Sequence, residues 1–174
     1  MLTTLSVNDI VTVSNVKKII TVKKSERRAD LNSDFCVAVH GLVYLKHKND
    51  MVPSEELAKN ICTNPARVRK VMARLKRAGL VQTKEGKVGG YSSVEKAGDI
   101  TLYRIAEALS IRFVDASWRS GDSDMSCLIA SGMAEVMNGI YLELNGLCLD
   151  KLKQITVGEV EKQLFSRKRK GEAK

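Results

Sequence analysis

Asn64-Pro65-Ala66-Arg67-Val68-Arg69-Lys70-Val71-Met72-Ala73-Arg74-Leu75-Lys76-Arg77-Ala78-Gly79 holds six positive charges and no acid. Asn64 is a good N-cap, Pro65 suits the first helical position, where its missing N–H goes unused, and Gly79 supplies a left-handed stop. The spacing therefore predicts one helix. Val68, Met72 and Leu75 form an apolar stripe in steps of four and three, while Arg67, Lys70, Arg74 and Arg77 run along a different face. A merely solvated helix usually interleaves acids with its bases for i,i+4 pairing, and this one has none of its own. The pattern points to a helix packed on one side and laid against a phosphate backbone on the other.

Outward from this helix, the rest of a DNA-binding unit can be read. Ser33 as N-cap, with Phe35, Val39, Leu42 and Leu45 at helical spacing, predicts a helix ending near Lys48, and Asn49-Asp50 turns the chain. Ser54 caps a short helix with Glu55 and Glu56 in its first turn, where carboxylates suit the dipole, and with Leu57, Ala58 and Ile61 facing inward. Joined by Thr63-Asn64-Pro65, this helix and the basic one make a helix-turn-helix, the second helix being offered to the major groove. Leu80–Thr83 and Tyr91–Ser93 read as two strands of a wing. Between them, Gly86, Gly89 and Gly90 allow positive φ and close approach, and Lys84 and Lys87 charge the tip. The glycines match neither the P-loop nor the dinucleotide fingerprint.

Thr101 caps a further helix through Leu102, Ile105, Ala106 and Leu109, after which residues 111–124 lose periodicity and read as a linker. From about Ser126 to Leu147, Ile129, Met133, Val136, Ile140, Leu144 and Leu147 form a long apolar seam of coiled-coil type. Such a seam needs a partner. A two-fold second copy is the favoured one, and the chain's own domain is the alternative.

With 174 residues, 44% of them hydrophobic, the chain can form one ordinary domain with an appendage. Its net charge of +9 is concentrated in the basic helix and in the end of the chain, while residues 97–161 are net acidic. Arg167-Lys168-Arg169-Lys170 reads most simply as a disordered basic tail. There is no apolar run of membrane-spanning length and no signal-peptide pattern, so a cytoplasmic protein is expected. Cys36, Cys62, Cys127 and Cys148 lie far apart without a C-x-x-C pair, which argues against a zinc ribbon and a disulfide framework. His40 and His47 share a helix face without a third ligand, so no metal is expected there. Cys127 opens the long helix, where backbone N–H groups can stabilise a thiolate, and is the sensor candidate. Asp122 and Asp124 oppose that effect, and packing of Cys127 as a small hydrophobe is the competing reading. No nucleophile, base and oxyanion set converges, so an enzyme is not expected.

Asn64-Pro65-Ala66-Arg67-Val68-Arg69-Lys70, Leu75-Lys76-Arg77-Ala78-Gly79-Leu80-Val81, Gly89-Gly90-Tyr91 and Asp99-Ile100-Thr101-Leu102, in this order, resemble the Rrf2 family of bacterial winged-helix transcription regulators, over about Leu31 to Leu164. The resemblance implies a homodimer on a palindromic operator of double-stranded DNA, usually a repressor, with the long helix at the dimer interface. The family's best-known members hold an iron–sulfur cluster through three closely spaced cysteines after the "I-T-L" helix. Here residues 111–126 contain no cysteine, and Cys127 and Cys148 stand 21 positions apart. The chain is similar to the cluster-free branch, for which no cofactor is expected, with a cluster-sensing regulator as an alternative and a dimeric protein-interaction adaptor as another.

The expected fold is mainly α: a winged helix-turn-helix with a two-stranded wing (31–112), a linker and dimerisation helix (113–164) and a basic tail (165–174). DNA contacts are expected from Asn64, Arg67, Arg69, Lys70, Arg74, Arg77, Lys84, Lys87, Gly89, Gly90 and Tyr91, with Arg67 or Arg69 reading base edges. Residues 1–30 lie outside the resemblance and admit two readings. Ile10–Val13 and Ile19–Val22 could pair as a hairpin. Alternatively Glu26-Arg27-Arg28, encodable as GAA-AGG-AGG, marks a ribosome-binding sequence, and translation starts at Leu31.

Overall fold

A computed structural model describes residues 32–171 apart from Glu85, Lys87, Val88, Ser117 and Arg119, with side chains as far as Ser166. The readings for residues 1–30 and for Lys87 lie outside these. Helix α1 (32–48) buries Val37, Ala38, Leu42 and Leu45. Helix α2 (Ser54–Ile61) adds Leu57 and Ala58, and helix α3 (Pro65–Arg77) adds Val68, Val71, Met72 and Leu75, the four of α3 at 0% exposure. Each of these valine, leucine and methionine side chains contributes about 1.5–3 kcal/mol by leaving water. The apolar stripe read from the sequence is thus the inner face of α3, widened by Val71.

The α3 boundaries are those the sequence marks. Asn64 Oδ1 accepts from the Arg67 N–H at 2.7 Å, and Pro65 opens the helix. Gly79 takes φ +68°, so that its N–H reaches Lys76 O and the Leu80 N–H reaches Leu75 O, a Schellman stop. The earlier caps differ by a residue. Ser33 lies inside α1, and Pro53 occupies the cap of α2, leaving Ser54 in its first turn.

Strands β1 (Val81–Lys84) and β2 (Gly90–Ser93) pair antiparallel, Val81 opposite Ser93 and Lys84 opposite Gly90. Beside them, Val52 exchanges two backbone hydrogen bonds with Tyr91, at 2.8 and 2.9 Å. This bridge ties the wing to the α1–α2 connection. Gly90 is needed there, because a Cβ would strike the Val52 carbonyl. Gly86 does adopt positive φ, +111°, at the tip.

After a single 3₁₀ turn (Ala97–Asp99), helix α4 (Leu102–Ala108) starts at Thr101, whose hydroxyl accepts from the Arg104 N–H at 3.4 Å, and it buries Leu102, Ile105 and Ala106. The segment read as a linker is irregular but docked. Ile111 is buried, Phe113 meets Phe35 edge-on at 5.3 Å, and the N–H groups of Phe113 and Val114 donate to Asn145 Oδ1 at 2.9 and 3.0 Å. Asn145 Nδ2 donates in turn to the carbonyls of Val114 and Tyr141. One buried amide therefore pins the segment to the long helix.

That helix, α5 (Leu128–Lys153), is longer at its C-terminal end than the seam suggests. A further helix, α6 (Val157–Gly171), follows and was not anticipated. Thr156 and Glu159 form a reciprocal capping box: the Thr156 N–H donates to Glu159 and the Glu159 N–H to Thr156 Oγ1. Leu102 N–H to Ile155 O and Val157 N–H to Ile100 O fasten the start of α6 to that of α4. Val157 is completely buried, and Gly158 sits so close to Gly98 that a Cβ would press on its carbonyl. Farther along, Glu161 pairs with Lys46 and His47, and Phe165 stacks on His47 at 5.0 Å. The disordered-tail reading of 167–170 is corrected, since the backbone there continues as α6.

Candidate nucleic-acid interface

With its apolar face buried, α3 turns its cations outward, but not all of them. Arg69, Lys70, Lys76 and Arg77 are exposed and Arg74 is partly so; Arg77 Nε donates to Ala73 O at 3.4 Å. Among the described residues no acid pairs with Arg74, Lys76 or Arg77. Arg67 departs from expectation. Its guanidinium turns back to α1, where Nε and Nη2 each lie 2.9 Å from Asp34 Oδ1 and Nη2 also reaches Ser33 Oγ. The Asp34 side chain is 4% exposed, so this is a buried carboxylate with a fixed partner. Arg67 is thus corrected from a solvent-facing cation to one that joins α3 to α1. Lys70, 69% exposed, only approaches Asp34, at 3.9 Å.

Arg69 has company of a different kind. Its Nη1 lies 3.1 Å from Ser54 Oγ and 3.3 Å from Glu55 Oε1 at the start of α2, and both charged side chains stay more than half exposed. The backbone N–H of Glu55, the Ser54 hydroxyl and Arg69 together hold the Glu55 carboxyl below its ordinary range. These two acids have a common physical reason. Cations in the first turns of a helix oppose its macrodipole, so α3 needs negative charge near its N-terminus, and α1 and α2 supply it. The acids missing from α3 itself come from its neighbours, 33 and 14 residues away.

The wing stands next to this row. Lys84 is exposed at the end of β1, and a groove of about 490 Å³ runs between the wing, the start of α2 and the outer face of α3, lined by Glu55, Lys76, Lys84 and Gly89. Tyr91 lies half-buried against the core, and this burial raises its phenol above the usual range. Tyr91 and Gly90 were expected at the DNA. The structure gives both a packing role, on the core and against Val52. The Asn64 side chain is likewise engaged as the α3 cap.

The seam residues lie together on one face of the long helix. Ile129, Met133, Val136, Ile140, Leu144 and Leu147 are 37–71% exposed, whereas the opposite face of α5 carries buried Asn145 and packed Leu149 and Leu152. The seam does not fold back on its own domain. Cys127 is the exposed N-cap residue of α5, and hydrogen bonding from the N–H groups of Ala130 and Ile129 lowers its thiol below the ordinary value. Trp118, Asp34 and Asn145 were not singled out from the sequence. A buried partner 33 residues away leaves no local pattern.

A helix-turn-helix with a β-hairpin wing and an outward basic second helix defines a winged-helix DNA-binding class of protein. Residues 31–163 match the Rrf2 family model, described as an iron-dependent transcriptional regulator, and the chain belongs to that family. Curated protein sequences give no match. Similar solved structures include a candidate transcriptional regulator from Lactobacillus plantarum, with TM-score 0.69 and 22% identity over 81% of this chain and 98% of that one. IscR of T. potens gives TM-score 0.54 and 20% identity over 75% and 85%. CymR, the global cysteine regulator of B. subtilis, gives 0.54 and 14% over 75% and 94%. At these identities the likeness shows the shared winged-helix fold. No helix among the described residues is long and apolar enough to cross a membrane.

The family description implies iron, and the residues here can be tested for it. Cys127 and Cys148 stand at either end of about six turns of α5, about 30 Å apart by helical rise. Among the described residues no three His, Cys, Asp or Glu side chains gather in a way that could hold a metal ion. The donor set does not fit an iron or iron–sulfur site.

Proposed function

We propose that this Rrf2-family regulator is a homodimer that binds palindromic operator DNA and represses transcription. The observation that carries this reading is the outward row of Arg69, Lys70, Arg74 and Arg77 on a helix whose other side is wholly buried. In such a complex α3 lies in the major groove with Arg69, near its N-terminus, at base edges. The remaining cations meet phosphates, and Lys84 and the glycine tip lie along the adjacent minor groove. The exposed α5 seam supports the two-fold partner, and two half-sites then sit about 34–36 Å apart or a multiple of it.

The exposed, N–H-stabilised Cys127 supports a thiol-responsive regulator, in which oxidation or an electrophile at this cap shifts α5 and the separation of the two α3 helices. Titrating fluorescently labelled promoter fragments at several salt concentrations tests the DNA reading. A log–log slope of about −0.9 per phosphate contact is expected. A dimer that shifts no promoter fragment at any salt would favour the adaptor reading. Loss of binding with diamide in wild type but not in Cys127→Ser is expected of the sensor, and equal loss in both excludes it.

A further inference from the structure

We infer that Glu55, at the start of α2, is a positioning residue that sets specificity: it aims Arg69 at a guanine and keeps it off phosphates. This rests on the DNA reading of α3 proposed above and deepens it, because it says why one cation of the row serves as the base reader.

Three side chains close a ring where α2 meets α3. Arg69 Nη1 donates to Ser54 Oγ at 3.1 Å and to Glu55 Oε1 at 3.3 Å, and the Ser54 hydroxyl donates to the same Oε1 at 3.0 Å. The serine proton is thereby spent on the carboxylate, which leaves its oxygen to accept from the guanidinium. Among the described residues nothing bonds Nε or Nη2, the parallel N–H pair along the other edge of the fork. That edge matches the O6 and N7 acceptors of a guanine, the commonest specific contact of arginine in the major groove. Holding Nη1 fixes the plane of the guanidinium and removes side-chain freedom before DNA arrives.

The same carboxylate discriminates by charge. A guanine presents neutral acceptors, so Arg69 can bind it with Glu55 still in place. A phosphate carries a full negative charge, which must either displace the Glu55 carboxylate or stand beside it across one guanidinium. Arg74, Lys76 and Arg77 have no acidic partner among the described residues and take phosphates without this cost. The side chains of Arg69 and Glu55 are 53% and 69% exposed, so water and salt screen the effect, and a discrimination of about three- to fivefold is expected.

The test titrates full-length wild type, Glu55→Gln, Arg69→Gln and the double variant against two labelled duplexes at several salt concentrations. One duplex has random sequence, and the other is enriched from a random library by the wild-type protein. Glu55→Gln is expected to bind the random duplex about three- to fivefold more tightly, with a log–log salt slope steeper by about 0.9 as Arg69 gains a phosphate. Its affinity for the enriched duplex changes less, so the ratio of specific to non-specific binding falls by a similar factor. With Arg69→Gln already present, Glu55→Gln is expected to leave slope and ratio unaltered. A tightening on the random duplex that persists in full in the Arg69→Gln background would overturn the inference, since Glu55 would then repel DNA without acting through Arg69. An unchanged ratio in Glu55→Gln would overturn it as well. Failure of the wild type to bind any duplex at any salt is a different outcome, which removes the DNA reading itself and this inference with it.

Discussion

The pairing of Asp34 with Arg67 gives the most discriminating test of how the recognition helix is held. Asp34→Asn keeps the shape of the side chain but removes the buried carboxylate charge that faces the Arg67 guanidinium. Removing one partner of a fully buried pair costs about 3–5 kcal/mol. Asp34 is 4% exposed but Arg67 is 27% exposed, so water recovers part of the loss and about 2 kcal/mol is expected. With a urea m-value of about 2 kcal/mol/M, the unfolding midpoint falls by about 1 M. Arg67→Met leaves buried Asp34 with only the more distant Lys70, at 3.9 Å, and costs a similar amount, and the double variant loses about 1 kcal/mol less than the sum. DNA binding separates the structural role from a phosphate contact. If Arg67 serves α3 through Asp34, both single variants weaken binding alike and leave the salt slope unchanged. A slope smaller by about 0.9 for Arg67→Met alone would show it on a phosphate. Additivity of the two losses in urea would refute the coupling itself.

Gly90→Ala presses a Cβ onto the Val52 carbonyl, backbone that cannot rotate away, and is expected to cost about 1–3 kcal/mol in urea unfolding. Ile140→Glu places a charge in the middle of the exposed seam and is expected to yield a monomer by light scattering with helicity retained, because α5 packs on its own domain through the opposite face. In a protein with Cys36, Cys62 and Cys148 replaced by serine, Cys127 alkylation should reach half its maximal rate at lower pH than for glutathione, since a depressed thiol pKa puts the thiolate in solution earlier as pH rises. Hydrogen bonding from Lys46, then from His47, lowers the Glu161 carboxyl. Its stabilising effect is therefore complete above the ordinary carboxylate pKa and fades as pH falls through the depressed one. The urea midpoints of wild type and Glu161→Gln should differ at neutral pH and converge in acid.

Helix α3 was legible because every signal that defines it is local: a cap bonded three residues on, a proline at the first position, a glycine with φ +68° at the stop. The wing was legible for the same reason, from short strands around glycines. Helix α6 carried signals of the same kind, since Thr156 and Glu159 have the spacing of a capping box, yet they precede a segment crowded with lysine and arginine. Composition there argued for a tail, while Val157 buried against the start of α4 decided for a helix. The docked segment 111–116 could not be read at all. Its backbone bonds go to one asparagine on α5, 31 and 32 residues away, and such pairing has no period.

The site divides along the same line, and the division bears on what each cation can do. A helical wheel places Arg67 with Lys70 and Arg74, and by that rule all three face outward. The wheel treats the surroundings as uniform, whereas a carboxylate buried in α1 sits over the first turn of α3 and takes the nearest guanidinium. Farther along the helix no acid among the described residues pairs with Arg74, Lys76 or Arg77. Among the described residues, charge on α3 is therefore graded, paired at the start where the dipole penalises cations and without an acidic partner toward the end. Arg69 stands at the boundary. Its partner Glu55 is 69% exposed, which makes this ion pair cheap to open when a base or phosphate competes for the guanidinium. Of the two arginines closest to the helix start, the one with the exposed partner gives it up at lower cost than the one with the buried partner.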